Sequence, residues 1–278
     1  MKRHLVALVG FFLVSGTTFA ADGDNAPMKI QPRIVLCILH DNPEVIRSIC
    51  ARLPSFEFDE QYSKCGRDDR MTSSFNASWD RVRPSVSDED KRRVDQHRDV
   101  AYVLSVRLDP DSAIDVALDG LDLIKAAFAE GARAVKCDSS GIAHGKDRWL
   151  EFASKRRKMD AYLAFVRRPI GSDATMYSCG MHLLGLPDTK VVGLSDWDAA
   201  MTMDAFAGYL ITEGGKESVK SGHTFSCSKD HPVLRISSDE CRGYETDDFF
   251  YNPYGYWILE KKDAQTRRVV FARSAAER

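Results

Sequence analysis

The sequence predicts an α+β fold: one mixed-sheet domain over residues 33–278, made of strand–helix–strand units with an antiparallel C-terminal part. Three observations predict it. Two strand-like apolar runs bracket a long helical stripe between Val100 and Cys137, the final third breaks into short β-branched and aromatic runs, and no Pro/Ser-rich linker divides the chain.

The elements follow in order. Ile34 to Leu39 is a β-branched apolar run bounded by Pro32 and Asp41-Asn42-Pro43, hence a buried strand leading into a helix. Asn42 suits the cap and Pro43 the first turn, and Val45, Ile46, Ile49 and Leu53 share one helical face. Residues 54–95 carry weaker signals. Phe56 to Phe58 and Ser73 to Trp79 read as short strands, and Asp88 to Arg93 as a solvated helix or loop face. Val100 to Leu108 is a strand. Asp109-Pro110-Asp111-Ser112 then caps a helix whose stripe is Ile114, Ala117, Leu121, Ile124 and Phe128, and Glu130-Gly131 ends it. Ala132 to Cys137 is the next strand, and the length of the connection suits a parallel crossover.

Lys146 to Lys158 reads as an amphipathic helix and Ala161 to Val166 as a strand. Strands are expected at Met176–Leu184 and Lys190–Leu194, joined by the turn Gly185-Leu186-Pro187-Asp188. A helix over Asp196–Thr212 buries Ala200, Met203, Phe206 and Leu210 and stops at Gly214-Gly215. Short strands at 224–227, 233–236, 256–259 and 268–271 complete the antiparallel finish, with a type I turn at Asn252-Pro253-Tyr254-Gly255.

The N-terminus is of another kind. Lys2 and Arg3 precede an apolar run from Leu5 to Val14, and Thr18-Phe19-Ala20 offers small residues at the two positions a signal peptidase reads. The run is shorter than the roughly 20 residues that span a bilayer. Residues 1–20 are therefore expected to be a cleaved secretory signal, and 21–32 a polar leader. The mature protein is then periplasmic or secreted, without stable membrane insertion. Cleavage removes two positive charges and no negative ones, so the formal charge moves from −2 to −4. That balance is unlike the basic face of a nucleic-acid binder.

All seven cysteines follow the signal, and export makes disulfides chemically allowed. Cys50–Cys65 and Cys227–Cys241 would each close a short loop, and an odd count leaves at least one thiol over. Cys37 and Cys137 end apolar runs and are expected as buried thiols.

The stretch from His97-Arg98-Asp99-Val100-Ala101 and the block Tyr177-Ser178-Cys179-Gly180-Met181-His182-Leu183-Leu184-Gly185-Leu186-Pro187-Asp188 resemble the DUF4261 family of bacterial domains. The resemblance spans roughly residues 97–260. It implies a strand–helix–strand unit followed by a Gly-x-x-x-x-Gly-Leu-Pro-acid block, here Gly180, Gly185, Leu186, Pro187 and Asp188. The family carries no established catalytic residues. The secretory signal and the cysteine count are departures from it.

Few residues point to chemistry. Cys179 with His182 is the most suggestive pair, because a thiol nucleophile needs a base, yet positions three apart on a strand face opposite ways. His223, His231, Asp239, Glu240 and Cys241 hold potential zinc ligands without a ligand-spacing motif. There is no phosphate-binding glycine loop. No catalytic residue, metal or cofactor is assigned. The aromatic stretch containing Tyr251, Tyr254, Tyr256 and Trp257 is a candidate interaction surface, with core packing as its commoner use. Two functions follow: a non-enzymatic exported binding protein with a protein partner in the cell envelope, or an envelope hydrolase using Cys179.

Overall fold

The computed structural model describes residues 31–79, 82, 85–172, 175–261 and 270–271. The expected signal and leader residues 21–30 lie outside this range. Eight helices and two sheets of differing strand orientation make up the described residues, an α+β fold.

The first sheet has the order β2-β3-β1-β4-β5 and is antiparallel throughout. Its strands are β1 (Val35–His40), β2 (Phe56–Lys64), β3 (Asp99–Ser105), β4 (Ala134–Cys137) and β5 (Ile142–Ala143). Helix α1 (Pro43–Cys50) links β1 to β2, and α4 (Ala113–Ala129) links β3 to β4. β3 and β4 do run parallel, as the crossover length suggests, but β1 pairs with both and lies between them. Four strands and two helices thus form the split β-α-β arrangement of ferredoxin-like topology. The faces of β1 separate two cores. Leu36 and Ile38 join α1 and α4, whereas Cys37 and Leu39 meet Met71, Phe75 and Trp79 of α2 (Arg70–Trp79) and Val94 of α3 (Asp88–Asp95).

The stretch expected as a strand at 73–79 is therefore helical. Met71, Phe75 and Trp79 recur every fourth residue, an interval that keeps one face in a strand as well as in a helix, so spacing alone does not separate the two. The caps at Asn42 and Ser87 are made: Asn42 accepts from the N–H of Glu44 and Ser87 from that of Asp90. Ser112 caps nothing with its side chain. There the carbonyl of Asp109 takes the N–H groups of Ser112 and Ala113.

Beyond the first sheet, α5 (Lys146–Lys155) is the helix expected from Lys146, ending before Lys158, and α6 (Lys158–Phe165) is helical where a strand is expected at Ala161–Val166. Arg156, at φ 50°, breaks the chain between them and holds Asp119 and Asp122 of α4. α6 hid from pattern reading because Ala161, Tyr162, Ala164 and Phe165 are all buried, so no polar face marks the helical period.

The second sheet has the order β12-β9-β10-β11-β8-β7-β6. It comprises β6 (Arg167–Ser172), β7 (Thr175–Cys179), β8 (Asp188–Val192), β9 (Thr224–Ser226), β10 (Leu234–Asp239), β11 (Tyr256–Lys261) and β12 (Val270–Phe271). Residues 268–269 of the last expected strand are outside the described range. The finish is not wholly antiparallel, because β11 runs parallel to β8 and β12 parallel to β9. Helix α7 (Asp196–Thr212), capped by Ser195, packs on β6, β7 and β8, and α8 (Gly215–Ser218) follows it. One continuous apolar cluster runs through both halves, from Ile34 to Leu259.

Candidate functional site

The expected strand over 176–184 stops at Cys179, and Met181–Leu184 coils into a 3-10 turn. Glycine makes this possible. Gly180 has φ 123° and Gly185 φ 70°, and a Cβ at either would sit 2.6 Å from a backbone atom, Phe165 O or Pro110 Cα. The two glycines of the family-like block are therefore required by backbone geometry. Its acid is structural too. Asp188 is buried and accepts from Asn252 Nδ2 at 2.7 Å, Ser178 Oγ at 2.9 Å and the Met181 N–H at 3.2 Å. Ser178 also accepts from the Thr189 N–H, and Asn252 donates to Leu186 O. Burial pushes the Asp188 carboxyl up to about 6, against the pull of these donors.

The provocative pair does not form a dyad. Cys179 is buried and its thiol is pushed up to about 12 by desolvation. Neither ring nitrogen of His182 has a hydrogen-bond partner, so no thiol–imidazole bond exists. A nucleophilic thiol has the opposite character: accessible, electropositive surroundings and a lowered pKa.

Both disulfide pairings fail on position, and all seven cysteines are free thiols. Cys50 packs near the Phe56 end of β2, whereas Cys65 follows the Lys64 end. Those ends pair with Ser105 and Val100 of β3, which puts them about 17 Å apart at strand rise. A disulfide needs Cα atoms within about 7 Å. Cys227 follows β9, which pairs with the Leu234 end of β10, whereas Cys241 lies beyond the Asp239 end and its thiol donates to the Tyr256 hydroxyl at 3.9 Å, so a strand's length separates the two. Cys37 and Cys137 are buried, as expected. Among the described residues no three of His, Cys, Asp and Glu are grouped as metal ligands would be.

The aromatic stretch divides. Trp257 packs against the main core, Tyr256 meets Cys241, and Tyr254 is half-buried. Tyr251 alone of the four borders an open cleft of about 560 Å³, beside Phe249, which is 55% exposed. This cleft lies where the α2/α3 face of the first sheet is left uncovered. Val35, Leu104 and the edge strand β2 form one wall, residues 246–251 the other, and His182 borders it from beneath. Five carboxylates (Glu57, Asp59, Glu60, Asp247 and Asp248) face two guanidiniums, Arg33 and Arg107. Arg33 is tied to Glu57 and to the Ser105 carbonyl, and Glu60 to Arg47. Arg107 and Asp247 have no ion-pair partner among the described residues.

His182 distinguishes this cleft from an ordinary surface hollow. It is 1% exposed, yet both ring nitrogens are unpartnered. The carbonyls of Ser139 and Phe249 are near, but neither bonds to it at acceptable geometry. Burial lowers its pKa to about 4, so at neutral pH it is an uncharged ring with one donor and one acceptor unused. Buried polar groups in native proteins almost always find partners, and an exception calls for an explanation. Phe249 opens the aromatic stretch that the sequence marks, whereas Arg33, Arg107 and Asp247 carry no local signal, because the fold alone brings them to this cleft.

No protein-family model matches the chain, and neither does any curated protein or solved structure.

Proposed function

We propose that the chain is an exported, non-enzymatic binding protein whose partner in the cell envelope seats on the His182 cleft. The observation that carries this is the neutral imidazole at the cleft, without a regular hydrogen bond, flanked by an exposed Phe249 and by Arg107 and Asp247, which make no ion pair among the described residues. Such convergence of apolar rings with a few unsatisfied polar groups is what ligand sites have in common. A signal-like N-terminus supports export, and the family resemblance adds no catalytic residue. No observation favours the hydrolase alternative: Cys179 is buried, unionised and without a base.

The test is a pull-down of tagged mature chain from its native periplasm, run in parallel with Arg107→Glu and His182→Leu. A stoichiometric protein retained by the wild type and lost from both variants is the expected result. A partner held equally by all three, or none from folded protein, overturns the cleft as the binding surface. Export is checked separately by N-terminal sequencing, with Ala21 expected as the first residue; an intact Met1 in extracytoplasmic protein would contradict cleavage.

A further inference from the structure

The cleft opens along a free sheet edge. Among the described residues β2 is the outermost strand of the first sheet and pairs only with β3. Alternate residues of such a strand direct their N–H and C=O groups away from the partner, towards the side no strand covers. Glu57, Phe58 and Asp59 are successive positions in regular register with Leu104, Val103 and Tyr102. Glu57 and Asp59 share the sheet face of Val35 and Leu104, and Phe58 between them also borders the cleft, so it reaches from that face to the strand at the edge. Beyond them Asp59 accepts the N–H groups of Gln61 and Tyr62, which folds residues 60–63 out of register and closes that end.

The charge around this edge is lopsided. With Glu60 neutralised by Arg47, the other four carboxylates against two guanidiniums leave the walls two charges negative. The exposed ring of Phe249 and the ring of Tyr251 stand on the wall opposite β2, placed to pack on the stems of long side chains or to meet their cations.

We infer that the cleft binds an extended, lysine- or arginine-bearing polypeptide segment, which adds as a strand to the edge of β2 at Glu57–Asp59. Main-chain hydrogen bonds to the edge supply affinity, and the acidic walls and Phe249 select the side chains. The inference rests on the binding function proposed above and names its ligand class.

Fluorescein-labelled octapeptides test it with the mature full-length chain: one alternating lysine with valine and threonine, one with glutamate in place of lysine, and one lysine peptide N-methylated at alternate amides. The lysine peptide is expected to bind, the other two at least tenfold more weakly, and hydrogen exchange is expected to slow at residues 57–59. Asp247→Lys with Phe249→Ser, both on the exposed wall, is expected to weaken binding at least tenfold without moving the melting temperature. Equal affinity for the two charge types, indifference to N-methylation, binding without protection at 57–59, or no binding by folded protein each overturns the inference. If the peptides fail while an envelope partner is still lost from Arg107→Glu and His182→Leu, the peptide class is wrong and the binding function stands. If both fail, both fall.

Discussion

Asp188 and His182 sit six positions apart in one segment and are equally buried, yet they are treated in opposite ways. Asp188 collects three donors from Ser178, Met181 and Asn252 and so ties β7, β8 and the 252–255 turn together. His182, on the turn between those strands, collects none. Burial alone therefore does not separate structure from function here; satisfaction does. A buried group with all its partners holds the fold, while one kept without them costs stability and is retained for what it meets.

The comparison can be broken most violently through its backbone. Gly185→Ala forces a side chain into the left-handed region and onto Pro110, and is expected to cost at least about 2 kcal/mol by chemical denaturation. A cost within experimental error would show that the turn relaxes and that the tight approach is not required. Asn252→Ala removes one Asp188 donor and the bond to Leu186, for an expected loss of about 1–3 kcal/mol.

The pH dependence of stability sharpens the same point. The folded carboxyl of Asp188 titrates near 6, above its ordinary value of 3.8. Its stabilising contribution is therefore complete below about pH 4 and is lost as pH rises through 6. Asp188→Asn should flatten the fall in unfolding free energy between pH 4 and 7; an unchanged slope would place the titration elsewhere.

His182→Leu is expected to act with the opposite sign. Removing an unsatisfied buried ring should leave stability within about 1 kcal/mol of wild type, or raise it, while partner binding is lost. A large loss of stability would return His182 to the structural class with Asp188. The smallest expected effect is chemical: under native conditions iodoacetamide should label exposed Cys65 readily and leave Cys37, Cys137 and Cys179 untouched until the chain unfolds. Early labelling of Cys179 would reopen the thiol chemistry set aside above.

Much of the framework was legible in the sequence where burial is one-sided or caps are local. β1, α1, β3, α4 and α7 announced themselves through β-branched runs, Asn42-Pro43 and apolar stripes. Where both the pattern and the caps fail, reading fails too. α6 is buried all round, and α2 carries only three widely spaced apolar anchors. The order of strands depends on pairings between distant residues, which is why β1 between β3 and β4 could not be foreseen. The cleft belongs to the same class: Arg107, His182 and Asp247 each look ordinary in their own neighbourhoods. Only Tyr251 of the four aromatic candidates reached it.

The central place of β1 has a consequence for the birth of the molecule. The segment emerges first among the described strands, all six of its residues are destined for the interior, and its neighbours come late. The Ile34 N–H finds its acceptor, Ser105, 71 residues further on, and the Val35 N–H finds Ser139 after 104. Until then a sticky, unpaired ribbon must be kept from other ribbons like it, which is the circumstance in which nascent chains aggregate. During synthesis and any passage through a membrane pore, Val35–His40 is where a holding chaperone would have most to do.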